Sequence, residues 1–355
     1  MRILCLVTDA FGGPGGIAAY NRHFLTALAE QGHEVLVLPR YGRAEALPEG
    51  LTQVEPRNGR VAYVFSLLRR MLRDRRFDLV WCGHIGTAAL AARIARFLGC
   101  PWWLQIHGID AWTPRGRALQ RAIRSASLVT AVSRYTRRRF LAWASLCAER
   151  VKVLPNAVDS SYSPGPKSEE LLERYALKGS RVLLTVGRIA KAESYKGHDR
   201  VIRLLPRLQE RYPDVVYLIA GDGDGRPDLE NLAAEIGVED KVRFAGNVAS
   251  GELVDHYRVA DVFVMPSTGE GFGIVYLEAM ACGVPAIGLD VDGSIDPLGA
   301  LPNGRAVPEP LLYETICESL DGAGPRSNGA VPGFTSADLS AGVRRLLENT
   351  GFAAP

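Results

Sequence analysis

The chain is predicted to fold as α/β, with two doubly wound domains facing each other across a cleft. Three observations carry that expectation. Apolar runs of strand length alternate with helical stretches along most of the 355 residues, the pattern of repeated β-α-β units. Those runs are apolar at nearly every position, as strands buried on both faces of a parallel sheet require. The alternation breaks once, at Pro155-Asn-Ala-Val-Asp159 and Ser163-Pro-Gly-Pro166, and then restarts. The expected domains are residues 1–165 and 166–335, with 336–355 a C-terminal helix and tail free to return to the first domain.

Strands are expected first at Arg2–Thr8, Glu34–Leu38, Phe77–Cys82, Trp102–Ile106, Leu128–Val132 and Val151–Leu154, with helices such as Ile17–Gln31 and Thr87–Leu98 between them. After the break the strands are Arg181–Val186, Val215–Ala220, Val242–Ala245, Val262–Met265 and Pro285–Leu289. Helices at Asp199–Arg211, Asp228–Ile236, Ser250–Tyr257 and Ile274–Ala281 connect them. The Gly- and Pro-rich stretch 321–334 reads as a surface loop. A last helix, Ser336–Glu348, takes Thr335 or Ser336 as its N-cap.

The 47% apolar content suffices for two ordinary cores. The six cysteines are scattered without metal-ligand or redox spacing, as in a reduced, cytoplasmic chain. Met1–Val7 is too short an apolar run for a signal sequence and reads as the first strand. No segment approaches the 18 or so apolar residues of a membrane span. Charge is divided unevenly: residues 1–160 hold 23 Lys+Arg against 11 Asp+Glu, and the remainder 19 against 28. The arginines of Arg69–Arg76 and Arg115–Arg139 supply much of the basic excess. They read either as solvated helix faces or as a surface for an anionic membrane or lipid-linked acceptor. No nucleic-acid motif accompanies them.

The run Glu270-Gly-Phe-Gly-Ile-Val-Tyr-Leu-Glu278 is the most informative stretch. It places one carboxylate at a strand's carboxyl end and another inside the next helix. Free N–H groups of a helix N-terminus, suited to an anion, lie between them. A ligand both phosphorylated and rich in hydroxyls fits such a pair. Gly187-Arg188 ends a strand, and Lys196-Gly-His198 opens a helix. Arg188 and Lys196 are placed to neutralise a diphosphate leaving group, where developing charge most rewards stabilisation. Gly12-Gly-Pro-Gly-Gly16 is either a phosphate-approach loop or a tight turn. His107 ends a strand, and spacing does not separate it from His84 or His198. Gly221-Asp-Gly-Asp-Gly225 lacks the twelfth-position Glu of a calcium loop, where Ala233 stands.

With these residues in hand, the chain resembles the retaining glycosyltransferases of family 4, which have the GT-B fold of two Rossmann-like domains. The resemblance rests on E-x7-E at Glu270–Glu278 and on companions in the family's order: Gly12–Gly16, His107-Gly108, Pro155–Asp159, Gly187-Arg188, Lys196-Gly197, Gly221–Gly223, Phe244–Gly246 and Pro266-Ser267. It implies that Arg188 and Lys196 bind the diphosphate of a nucleotide-sugar donor, either a UDP-sugar or GDP-mannose. Glu278 is then expected on the ribose and Glu270 near the sugar. Backbone amides of Phe272, Gly273 and Ile274 are expected on sugar or phosphates, and Val248 beside the base. Gly15, Gly16 and His107 line the site from the first domain, and His107, Arg188, Lys196 and Glu270 form the catalytic set. No cofactor or metal is implied. The implied setting is surface polysaccharide or lipid-linked glycan assembly at the inner face of the cell membrane. One departure is Asp292-Gly-Ser-Ile-Asp296, where the family has Gly-Gly-x-x-Glu. It keeps open a catalytically inactive nucleotide-sugar-binding subunit. A GT-B nucleotide-sugar epimerase is the other alternative.

Overall fold

A computed structural model of the chain describes residues 1–13, 15–44, 46–56, 76–322 and 328–352. Pro14 of the glycine run and Arg69–Arg75 of the basic run lie outside them. The chain divides into two compact units, Met1–Ala157 with Gly333–Pro355, and Val158–Pro332. The first join therefore lies a few residues before the 165/166 position read from the proline cluster.

The first unit is a seven-stranded parallel sheet: β1 (Arg2–Val7), β2 (Glu34–Pro39), β3 (Leu51–Gln53), β4 (Leu79–Cys82), β5 (Trp102–Ile106), β6 (Leu128–Ala131) and β7 (Val151–Val153). Its order, β3-β2-β1-β4-β5-β6-β7, reverses direction at β1/β4. Strands β4, β5 and β6 are buried at every position, which is why they read as continuous apolar runs. Helix α1 (Gly16–Glu30) buries Ala18, Asn21, Phe24, Leu25 and Leu28, a stripe at helical spacing. Phe24 stacks on Trp81 at 4.2 Å and meets Trp103 edge-on at 5.1 Å. Outward of these follow α2 (Ala88–Leu98), α3 (Arg117–Arg124) and α4 (Arg134–Ala144).

The second unit is a six-stranded parallel sheet: β8 (Arg181–Val186), β9 (Val215–Ala220), β10 (Val242–Gly246), β11 (Val262–Val264), β12 (Ala286–Leu289) and β13 (Gly304–Val307). The order β10-β9-β8-β11-β12-β13 puts the switch point between β8 and β11, the place where doubly wound sheets bind ligands. Its helices are α5 (Glu169–Arg174), α6 (His198–Arg211), α7 (Arg226–Glu235), α8 (Ser250–Val259), α9 (Ile274–Ala281), α10 (Ile295–Ala300) and α11 (Leu312–Leu320). Helix α9 is buried from Tyr276 to Ala281, so it is apolar around its whole circumference and its one carboxylate is carried inside.

The last helix, α12 (Ser336–Asn349), opens on a capping box between Thr335 and Asp338. It belongs to the first unit, where Leu339, Val343 and Leu347 are buried. Gln31, at the end of α1, donates to the Ser340 carbonyl at 2.9 Å. Strands β3 and β13 were not legible in the sequence. The former has three residues and the latter opens Gly-Arg, so pairing with a neighbouring strand, not side-chain pattern, makes them strands.

Candidate functional site

The loop leaving β8 and the loop leaving β11 meet at the second unit's switch point. After β8, Gly187 passes so close to the turn at Gly221 that a Cβ on Gly221 would stand 1.9 Å from the Gly187 carbonyl. The Gly221–Gly225 segment is thus a brace. Asp222 O accepts from the Ile189 amide at 2.9 Å, Gly225 N donates to Ile189 O at 2.8 Å, and Asp224 accepts from the Lys191 amide at 2.8 Å. Gly246 bridges to Gly221, which ties the half-buried Val248 loop to the same end of the sheet. Among the described residues, no group of three or more His, Cys, Asp or Glu side chains is placed to hold a metal ion.

A short 3-10 segment, Lys191–Lys196, follows, irregular at Glu193 (φ −114°, ψ 24°). Lys196 lies across Gly187 and is largely buried. Its Nζ stands 3.0 Å from Glu270 Oε1 and 3.9 Å from Glu193 Oε2. Burial by itself lowers the lysine pKa, but the Glu270 carboxylate outweighs it and the net shift is upward, so Lys196 is charged at neutral pH. Arg188, with its side chain 79% exposed, pairs with Glu193. The structure therefore brings Arg188, Lys196 and Glu270 into one ionic cluster and adds Glu193.

Glu270 is held at its backbone as well. Its N–H donates to Asp292 Oδ2 at 2.7 Å, and its carbonyl accepts from the Gly293 amide at 2.8 Å. Asp292 is fully buried and also accepts from the Ser294 amide at 2.9 Å and hydroxyl at 2.6 Å. Burial pushes its pKa up to about 6 against those hydrogen bonds. Tyr195 covers the turn from the other side: its ring leaves no room for a Cβ on Gly269, and its carbonyl accepts from Thr268 N at 2.9 Å. Gly273 caps α9 in the left-handed region (φ 81°, ψ 69°), with Phe272 buried before it and Ile274 half-buried after.

Glu278, one turn into α9, forms a separate cluster. It is buried, and its Oε2 accepts from the Tyr257 hydroxyl at 2.6 Å. Burial pushes its pKa up to about 7, opposed by hydrogen bonds from Tyr257 and Tyr162 and reinforced by the Asp159 charge. The acid is poised near neutrality, not permanently ionised.

In the first unit, His107 donates from Nε2 to the Gly83 carbonyl at 2.8 Å in the tautomer that bond requires. Burial lowers its pKa to about 3, so the ring is neutral and Nδ1 is its acceptor. The three histidines that spacing left together now separate. His84 accepts from the Gly86 amide at Nδ1 and meets Asp110 at 3.3 Å through Nε2. His198 is buried beside the Tyr217 hydroxyl, with burial lowering its pKa to about 4. Gly15 (φ 99°) caps α1 with open space beside it, and Gly16 is exposed. Gly12 is instead forced by close packing, since a Cβ there would strike the Gly42 and Arg43 backbone, whereas at Gly13 it would meet only the Asp9 carboxylate.

Sequence reasoning missed Glu193, Tyr162 and Tyr257, and noted Asp292 only as a departure. A carboxylate midway between Arg188 and Lys196 was the available signal for the first. Nothing local marks the tyrosines.

A family model described as Glycosyltransferase Family 4 matches residues 14–162, and one described as Glycosyl transferases group 1 matches residues 167–321. The GDP-mannose-dependent alpha-(1-6)-phosphatidylinositol monomannoside mannosyltransferase of Mycolicibacterium smegmatis is 34% identical over 307 residues, 80% of this chain and 79% of that protein. The D-inositol 3-phosphate glycosyltransferase of Kineococcus radiotolerans is 28% identical, over 97% of this chain and 85% of its own. Among solved structures, sucrose-phosphate synthase from Thermosynechococcus elongatus superposes with a TM-score of 0.79 at 19% identity, over 98% of this chain and 99% of that one. Anabaena HepE, solved with UDP, gives 0.76 at 21%, over 98% and 100%.

Proposed function

This chain belongs to glycosyltransferase family 4 and has its GT-B fold, the premise from which we propose that it moves mannose from GDP-mannose to a hydroxyl of a lipid-linked acceptor, with retention of configuration. The observation that carries the reading is the buried Lys196–Glu270 pair with Arg188 beside it at the switch point. The C1–O bond to the diphosphate breaks and a C1–O bond to the acceptor forms on the same face. The acceptor proton passes to the departing diphosphate oxygen. Arg188 and Lys196 take the charge that develops on that oxygen, where fixed cations in a partly dry site count most. With two protein cations there, no metal is required. Glu270 orients Lys196 and lies beside the sugar. Glu278 accepts from the ribose hydroxyls, the amides of Phe272, Gly273 and Ile274 contact sugar or phosphates, and Val248 borders the base. In the first unit, His107 offers Nδ1 to a substrate hydroxyl and Gly15-Gly16 give close backbone approach.

The choice of GDP-mannose rests on what the mycobacterial relatives are named to use. The lipid-linked acceptor rests on those names and on the first unit's basic surface. Arg117, Arg121 and Arg124 on α3, with Arg138 and Arg139 on α4, are exposed, and we place this face against an anionic membrane at the cytoplasmic side. Arg137 differs: it holds the Val151 and Ala148 carbonyls at 2.6 and 2.8 Å. Among the described residues, no helix is long and apolar enough to cross a membrane. Acceptor recognition falls to loops of the first unit, where Tyr41 is exposed, whereas Trp112 is buried, with its indole N–H on Thr136 at 3.1 Å. The loop departure behind the inactive-subunit alternative is a brace for Glu270, and no particular observation favours that alternative or an epimerase.

Thermal melts with GDP, UDP, ADP and dTDP, on the wild type and on Glu278→Ala, test the reading. Stabilisation by GDP alone, diminished in the mutant, is expected. At a hundredfold excess over Kd it amounts to about 2.7 kcal/mol. No shift with any nucleotide overturns the donor site, and stabilisation by UDP alone overturns GDP-mannose. GDP release from GDP-mannose only when acceptor is added separates transfer from binding or epimerisation.

A further inference from the structure

Glu193 is a charge that none of the proposed roles uses. Its side chain is only 15% exposed, and it lies between the two cations: Arg188 pairs with one oxygen, and Lys196 Nζ stands 3.9 Å from the other. Glu270 holds Lys196 more closely, at 3.0 Å. Two cations thus face two carboxylates, and the cluster as a whole carries no net positive charge. Any anion drawn to Arg188 and Lys196 must share them with Glu193.

The two ligands of the reaction differ in charge. The diphosphate of a nucleotide-sugar is a diester carrying two negative charges. The nucleoside diphosphate released has a terminal phosphate whose second ionisation lies near pH 6, so near neutrality it approaches three. A carboxylate beside the binding cations repels the second more than the first. The Arg188–Glu193 pair is the one that yields, because an exposed guanidinium gains little from a surface ion pair. The enclosed Lys196–Glu270 pair stays. We propose that Glu193 is a specificity-determining residue of the diphosphate site, weakening the free nucleoside diphosphate relative to the intact donor and so hastening product release. This rests on the reading that Arg188 and Lys196 receive the diphosphate.

Calorimetric titration of GDP and GDP-mannose into the wild type, Glu193→Gln, Glu193→Asp and Lys196→Ala tests it, with UDP and UDP-glucose in parallel. Glu193→Gln is expected to tighten the nucleoside diphosphate roughly tenfold and the nucleotide-sugar by less. The difference should shrink between low and high salt, and product inhibition should deepen. Glu193→Asp, which keeps the charge, is expected to stay near the wild type. Equal or weaker diphosphate binding in Glu193→Gln overturns the inference, because the carboxylate then holds the cations in place. Equal tightening of both ligands overturns it as well, since nothing is then discriminated. Lys196→Ala separates the two levels: weakened GDP binding there leaves the diphosphate reading standing whatever Glu193 does, and unchanged binding overturns both.

Discussion

The two sheets end differently. At the carboxyl ends of the first unit's central strands the polar groups are mostly neutral and paired. Tyr20 donates to Gln105 at 2.8 Å, Thr130 donates to the same oxygen at 2.6 Å, and neutral His107 sits on the Gly83 carbonyl. His84 meets Asp110 there at 3.3 Å. The second unit's strand ends hold Lys196, Glu193, Glu270, Asp292 and Glu278, each mostly enclosed. The same doubly wound topology carries mostly neutral, hydrogen-bonded groups in one unit and a cluster of charged side chains in the other. The first unit's charge lies elsewhere, on the exposed arginines of α3 and α4. Topology chooses where a ligand sits, and the side chains at the strand ends choose which chemistry it meets.

The strongest way to break this contrast is Lys196→Met, which leaves Glu270 enclosed without its cation. Turnover is expected to fall roughly 100- to 1,000-fold, with circular dichroism unchanged. Activity within about threefold of the wild type would end the claim that the second unit handles the charge.

Next in size is Glu278. With its pKa raised to about 7, it is protonated below that pH, and in the ribose role proposed for it Glu278 then ceases to be an ionised acceptor. GDP affinity in the wild type should fall as pH drops from 8 to 6. In Glu278→Gln the affinity should be lower, by about tenfold at pH 8, and should fall less toward pH 6, keeping only the part that comes from the terminal phosphate's own ionisation. The stability effect has the opposite direction. A carboxyl whose folded pKa lies above its unfolded value stabilises the fold below the unfolded pKa, and that contribution is lost as pH rises through the folded one. For Glu278 and Asp292 the loss falls between about pH 4 and 7, and melts of Glu278→Gln should lack the Glu278 part of it.

Asp292→Asn sharpens the comparison, because it keeps the volume but presents an amide to N–H groups that need acceptors. A loss of about 1–3 kcal/mol in stability is expected, with kcat lowered more than donor KM, read from steady-state kinetics and denaturation. The smallest effect belongs to the first unit. Arg138→Gln should weaken sedimentation with anionic vesicles by roughly fivefold at low salt, with nucleotide binding untouched. Unchanged vesicle binding would make that face a solvated one.

Most of the fold was legible because local pattern dictates it. Strands such as Val215–Ala220 are buried at every residue and so read as unbroken apolar runs. α12 was readable from its capping residues. The strands that escaped are those whose identity comes from a neighbour, and α10 escaped because Pro297 and Gly299 hide it. At the site, Arg188, Lys196, Glu270 and Glu278 stood out by residue type at strand and helix ends. Their partners did not, because Asp292 reaches Glu270 across 22 positions and Tyr257 reaches Glu278 across 21.

Read alone, the chain settles two parallel sheets, their strand-end loops and the residue types those loops carry, since periodicity and turn chemistry act over a few neighbours. Tertiary structure decided which charges meet. It put Glu193 between the two cations, made Asp292 a brace for Glu270, turned Gly12 into a packing necessity and set Glu278 near neutrality. Each outcome depends on burial and on a partner brought close by the crossing of a sheet, and Coulomb and desolvation energies depend on that distance and enclosure, not on separation along the chain.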